Sequence, residues 1–117
     1  MPMGRKGKTM AWTYLFIASG FEILFALGLK YADGFTRLGW SVLTVAAGVA
    51  SFLILSQALR TLPVGTGYAV WTGIGAVGAT ILGIFLFHEP RDAGRLVSIG
   101  LIISGIVGIR LTSVTRG

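Results

Sequence analysis

The sequence contains no cysteine, a single histidine and only four acidic residues among its 117 positions. Without cysteine the chain has no disulfide, no thiolate ligand for a metal ion and no thiol nucleophile. One histidine, His88, does not by itself make a metal cluster, so we expect neither a bound metal nor another cofactor. Because the sequence also shows no catalytic triad and no phosphate-binding loop, we do not expect an enzyme.

Charged residues of either sign are scarce. They make up 12% of the chain, whereas hydrophobic residues make up 54% and the mean hydropathy is +0.82. Soluble domains carry about 25% charged residues, so this composition predicts a membrane protein in contact with lipid. The net charge is +6, but the basic residues lie between apolar stretches and form no basic stripe. We therefore do not expect a nucleic acid as a partner.

The few charges divide the chain into four long apolar segments. A helix crosses the hydrocarbon layer in about 20 residues, and a helix satisfies its own backbone hydrogen bonds in lipid. The sequence therefore predicts an all-α membrane protein with four transmembrane helices in one domain, residues 10–113. The expected helices lie at about 10–30, 38–60, 63–87 and 93–111. We expect residues 1–9 to form a disordered basic tail and residues 114–117 a short second tail.

Lys and Arg are nearly balanced between the two ends of these helices. One side would carry Arg5, Lys6, Lys8, Arg60, Arg110 and Arg116, and the other Lys30, Arg37, Arg91 and Arg95. Without the first tail the balance is three against four, so the positive-inside rule gives hardly any preference. This balance is compatible with two oppositely inserted copies that pair about an axis in the membrane plane. The alternative is that the tail sets a single orientation.

Glu22 is the one acidic residue inside an apolar span, in the segment IASGFEILFALGLK. It lies about 18 Å along the helix from Met10, near the middle of the bilayer. A charged carboxylate at that depth costs about 2.5 kcal/mol or more, and no Lys or Arg lies deep in any span. We expect Glu22 to be protonated, to face a wet cavity or to meet a cation, which indicates a site where protons and a cationic substrate compete. The alternative is a permanently protonated structural residue.

Aromatic residues accompany this acid in the first and third spans. Phe25 follows Glu22 by one turn and shares its helical face. Tyr68 and Trp71 are three residues apart in the third span, and aromatic faces hold delocalised cations. Their alternative role is in an interfacial aromatic belt, although both lie five or more residues beyond Pro63.

Small and polar residues supply further candidates. Ser51 in the second span is a candidate partner of the carboxylate, unless it bonds back to its own helix. Gly73 and Gly75 favour either a kink in the third helix or close packing alone. In the fourth span a seam of small residues is typical of helix association: Gly100, Ser104, Gly105 and Gly108. The connection before this span is expected to be a solvated loop carrying His88, Glu89, Arg91 and Asp92.

Taken together, these residues resemble the small multidrug resistance family of proton-coupled exporters. The resemblance rests on the lone Glu22, on "GFTR" at residues 34–37 and on "LPVGTGYAVWTGIGAVGA" at residues 62–79. It extends from Met10 to about Ser113. The strings "PVGT" and "WTGIGA" look like the guanidinium-exporter subtype. In the quaternary-ammonium subtype the third span usually reads Trp-Ser-Gly, and a tyrosine usually replaces Gly48.

The resemblance implies an antiparallel, dual-topology homodimer, multi-pass in the inner (plasma) membrane of a prokaryote, that exports guanidinium and small guanidinyl cations in exchange for protons. It makes the Glu22 side chains of both copies one shared site, with Trp71 and Tyr68 beside it. It makes Ser51 a hydrogen-bond partner of the carboxylate. It also makes Gly73 to Gly75 the kink of the third helix, and the fourth helix the main dimer contact.

Phe25 departs from the pattern of the guanidinium exporters, which usually carry a tryptophan there whose indole N–H bonds the carboxylate. A phenyl ring donates no such bond. A broader quaternary-ammonium or multidrug exporter therefore stays open, as does one subunit of a heterodimer. A non-transporting membrane scaffold or lipid-handling helper would use the same four helices and would not need Glu22.

Overall fold

The computed structural model describes the backbone of residues 4–116 and the side chains of residues 9–112. Within this part, the chain forms four helices: α1 (Gly4–Ala32), α2 (Leu38–Ala58), α3 (Val64–Phe87) and α4 (Ala93–Arg116). Each helix contains a segment that is long and apolar enough to cross a membrane. The predicted all-α architecture with four membrane-spanning helices is therefore confirmed.

The first and last helices extend beyond their expected ends. α1 begins at Gly4, inside the expected disordered tail, and α4 continues to Arg116. No proline follows Pro2 in this region, and Arg, Lys and Met are good helix formers, so the helix has no strong stop signal before Met10. The part of α1 that is apolar enough to span a membrane is Thr9–Ala32. Residues 1–3 and 117 lie outside the described residues, so for them the expected tails stay predictions.

The connections between helices are short and tightly folded. The loop between α1 and α2 holds three successive residues with positive φ: Asp33, Gly34 and Phe35. α3 follows Pro63 and ends at Phe87, and the next residue, His88, has the left-handed conformation with φ 54°. The backbone N–H of Glu89 then donates to the carbonyl oxygen of Gly83 at 3.3 Å. This bond caps α3 and folds Glu89 back against the end of the helix.

α1 is the central element of the fold. It packs along both α2 and α3, whereas α2 and α3 touch each other at only a few positions. α4 packs mainly along α3, and its Arg110 guanidinium also lies 4.5 Å from the centroid of the Trp12 ring in α1. The apolar core lies among the first three helices and includes Trp12, Leu15, Leu55, Val70 and Trp71. α4 is consequently the most exposed helix, and only Ile99 among its described residues is buried.

Candidate functional site

Glu22 lies on the face of α1 that packs against α3. A carbon added as the Cβ of residue 75 would lie 2.6 Å from the Cγ atom of Glu22, closer than real Cβ contacts come. Glycine at position 75 therefore allows the acidic side chain to lie directly against the backbone of α3. The side chain is half-buried in this position.

The Glu22 carboxylate has no protein partner in the described part of the chain. It accepts no hydrogen bond and forms no ion pair there. The same residues contain no group of three or more histidine or acidic side chains that could hold a metal ion. A carboxylate at membrane depth with no partner is suited to take up a proton or an external cation, because either one removes the cost of an isolated charge.

Ser51 is fully buried and connects three helices. Its hydroxyl donates to the carbonyl oxygen of Ala18 in α1 at 2.7 Å and accepts from Nε1 of Trp71 in α3 at 2.9 Å. The expected hydrogen bond from Ser51 to the carboxylate is therefore not the one observed, because a hydroxyl has a single proton to donate. Ala18 precedes Glu22 by one helical turn, and its carbonyl is also the α-helical acceptor for the Glu22 N–H. Ser51 thus holds the turn of α1 that leads to Glu22.

Trp71 is packed between two other aromatic rings. Its ring centroid lies 5.4 Å from that of Phe52 and 5.5 Å from that of Tyr68. Trp71 is 5% exposed, whereas Tyr68 is 56% exposed. The spacing in the sequence places Tyr68 and Trp71 together, as observed, but only Tyr68 presents an open side chain. Phe52 was missed by the sequence analysis, because its contact with Trp71 joins two helices and follows no spacing within either one.

Phe25 lies beside the site but packs in a different direction. A Cβ added at Gly48 of α2 would lie 2.8 Å from the Cδ1 atom of the Phe25 ring. The ring is thus in direct contact with the backbone of α2, whereas Glu22 contacts α3. The pairing of a large ring with a glycine sets how closely α1 and α2 approach beside the acid.

The two glycines expected to kink the third helix lie within a continuous α3. Gly75 faces Glu22, and a Cβ added at Gly73 would lie 2.9 Å from Cδ1 of Ile106 in α4. Both positions therefore allow close packing against a neighbouring helix. A kink at these residues stays a prediction.

The small-residue seam of α4 is uncovered in the single chain. A Cβ added at any of its glycines would meet no atom within 4 Å, and the Ser104 hydroxyl bonds back to the carbonyl of Gly100 at 2.8 Å. The residues of this seam are all exposed: Gly100, Ser104, Gly105 and Gly108. Their role as a dimer contact stays a prediction.

Comparison with known proteins agrees with these features. The family model described as "Small Multidrug Resistance protein" matches residues 10–102. The chain is 56% identical over 104 residues to a protein of Citrobacter freundii named "Guanidinium exporter", a match that covers 89% of this chain and 99% of the relative. Proteins with the same name from Salmonella typhimurium strain LT2 and Yersinia pseudotuberculosis serotype I are 53% and 52% identical over 89% of the chain, covering 99% and 100% of their own lengths. The chain belongs to the small multidrug resistance family of transporters.

Proposed function

We propose that this protein exports guanidinium and small guanidinyl cations in exchange for protons. The observation that carries the proposal is the Glu22 carboxylate, held against Gly75 with no partner in the described part of the chain. Guanidinium is a planar cation whose paired N–H groups match the two oxygens of a carboxylate. The relatives named as guanidinium exporters support the same substrate.

The exchange follows from competition for one acid. A proton and a guanidinium ion each neutralise Glu22, and an intramembrane carboxylate favours having one of them bound. Substrate that binds from one side displaces the proton, and a proton that arrives from the other side displaces the substrate. Coupling then requires that the two accessible states of the transporter differ in their relative affinity for the two ligands.

The transporting unit in this proposal is an antiparallel, dual-topology homodimer in the inner membrane of a bacterium. The near balance of Lys and Arg between the two ends of the helices favours insertion in both orientations. The uncovered seam of α4 offers a surface on which a second copy would pack closely. Two oppositely inserted copies would bring two Glu22 carboxylates into one site.

Transport by the purified protein in liposomes tests the proposal. We expect guanidinium added outside to drive a measurable proton flux with wild-type protein and none with Glu22→Gln. The side-chain amide of this variant keeps the shape of the acid but cannot carry a negative charge. Asp92→Asn is the matched control, since Asp92 is an exposed acid outside the apolar spans, and it should transport as wild type does. Guanidinium flux through Glu22→Gln at the wild-type rate would show that the mechanism is wrong.

A second candidate function differs from guanidinium export in the range of substrates that it accepts. Phe25 offers no hydrogen-bond donor, and its contact with Gly48 leaves no side chain on α2 at that point. These features favour a broader exporter that also accepts quaternary ammonium ions. Proton flux driven by tetrapropylammonium as strongly as by guanidinium or methylguanidinium would favour the broader exporter.

The same liposomes contain one kind of chain only. Activity would therefore support the homodimer, and its absence is the result expected both of a heterodimer that needs a second chain and of a scaffold. A scaffold or lipid-handling helper would show no flux even with the wild-type chain, and its function would not depend on Glu22.

A further inference from the structure

A cavity lies between α1 and α3, nearer the ends of these helices than Glu22 is. Its volume is about 250 Å³, and Glu22 is not among its lining residues. Drug-sized ligands generally occupy pockets of about 300–1,000 Å³, so this cavity suits a smaller group. Its walls combine apolar side chains, such as Ala26 and Phe87, with the polar side chains of Lys30, Thr80 and Glu89.

The charged lining residues of the cavity, Lys30 and Glu89, lie close to the ends of the apolar segments. The apolar segments of α1 and α3 end at Ala32 and Phe87. Beside the cavity, Tyr31 stacks on Trp40 with ring centroids 4.5 Å apart and contacts the ring of Phe87 at 5.1 Å. Clustered tyrosine and tryptophan at the ends of spans mark the membrane–water interface. The charged part of the cavity therefore lies where the headgroups of lipids are found in a membrane.

Two opposite charges line this cavity. The Lys30 ammonium lies 5.6 Å from the centroid of the Phe87 ring and forms no ion pair with any described carboxylate. Glu89 was expected in a solvated loop, but its carboxylate lies half-buried against Gly83 because the cap of α3 folds it back. Its Oε1 atom accepts from Arg95 at 2.9 Å, and its Oε2 atom has no partner in the described part of the chain. One ammonium group and one fixed carboxylate oxygen thus remain available.

We propose that this cavity binds the headgroup of phosphatidylethanolamine. The phosphate would contact the Lys30 ammonium, and the lipid ammonium would donate to Oε2 of Glu89. Such a headgroup carries an anion and a hydrogen-bond-donating cation, one for each of the two opposite charges that line the cavity. Phosphatidylglycerol lacks the cation, and the trimethylammonium group of phosphatidylcholine has no N–H to donate. The apolar wall formed by Ala26 and Phe87 suits the lipid rather than a soluble ester.

Lipid retention by the purified protein tests this assignment. Native mass spectrometry after exchange into equal amounts of the three lipids, with matched acyl chains, should show phosphatidylethanolamine retained most. Glu89→Gln should lower this retention about tenfold towards that of phosphatidylcholine, since one charge-assisted bond is lost. Lys30→Met should lower retention of all three lipids, and Lys30→Arg should restore it. Arg91→Met is the control, because Arg91 is exposed and lies outside the cavity.

Two further measurements distinguish lost binding from unfolding, and binding of the lipid from binding of a soluble ester. Circular dichroism of each variant should show wild-type helix content, so that a lost adduct reports binding and not unfolding, and the Lys30→Arg rescue gives the same information. Soluble phosphoethanolamine at the lipid concentration should leave the lipid adduct in place. The proposal is wrong if phosphatidylglycerol is retained as well as phosphatidylethanolamine, if Glu89→Gln changes nothing, or if the soluble ester displaces the lipid.

Discussion

Gly75→Ala is the substitution that most directly tests how Glu22 is held. The added Cβ would lie 2.6 Å from Cγ of Glu22, well inside the 3.4 Å at which ordinary van der Waals contact begins. Cγ lies in the middle of the side chain and cannot swing aside as a free end would. Either the acid changes rotamer or α1 and α3 separate, and overpacking of this kind costs about 1–3 kcal/mol. Alanine also gains about 1 kcal/mol in helix propensity, which opposes the steric cost.

A double-mutant cycle separates these two contributions. In a Glu22→Ala background the clashing Cγ is absent, while the propensity gain is the same. We expect Gly75→Ala to be about 1–3 kcal/mol more costly in the wild-type background than in the Glu22→Ala background. Unfolding in mixed micelles by titration with dodecyl sulfate, followed by circular dichroism, measures all four proteins. Gly39→Ala is the control, because a Cβ at this exposed helical position meets no atom within 4 Å. An equal cost in both backgrounds would refute the contact between Glu22 and Gly75.

Two more substitutions probe buried hydroxyls by the same unfolding measurement. Ser51→Ala should lower the free energy of unfolding by about 1–3 kcal/mol, since it removes the bond to Ala18 and leaves the indole N–H of Trp71 buried without its acceptor. Ser56→Ala loses only an exposed bond to its own helix and should lower it less. Equal losses would contradict the role of Ser51 in joining three helices. Thr44→Val should raise stability by about 1 kcal/mol, because the Thr44 hydroxyl is buried without a hydrogen-bond partner among the described residues; a clear loss of stability would show that the hydroxyl has a partner in the folded protein.

Much of the architecture was predictable because lipid leaves the backbone few choices. A chain with four uncharged or nearly uncharged stretches must satisfy its backbone groups within each stretch, so hydropathy alone locates the helices. The acid in the first span was equally visible, because its cost in lipid does not depend on the fold. What hydropathy does not contain is the rotation of each helix about its own axis. The contacts of Glu22 with Gly75 and of Phe25 with Gly48 depend on that rotation, which side-chain interdigitation decides.

The hydrogen-bond partners of individual side chains were less predictable than the positions of the helices in the sequence. The sequence offered Ser51 as a hydrogen-bond partner of the carboxylate, but its donor bond goes to the Ala18 carbonyl. Both acceptors lie on α1 one turn apart, so a sequence gives no basis for choosing between them. Glu89 shows a related limit. Its burial depends on the left-handed conformation of His88, and histidine there carries no turn signal comparable to glycine.

Two features of the single chain lack a partner among the described residues. Glu22 lies at membrane depth with no partner among the described residues, and the seam of α4 presents small residues that no described helix covers. In lipid there is little hydrophobic force to hide such a seam, so its close-packing surface stabilises the protein only when another helix fits against it. The proposed second copy, inserted in the opposite sense, would provide that helix. It would also enclose Glu22 in a cavity with a second carboxylate, and two such acids in one site compete more strongly for a cation than either acid alone.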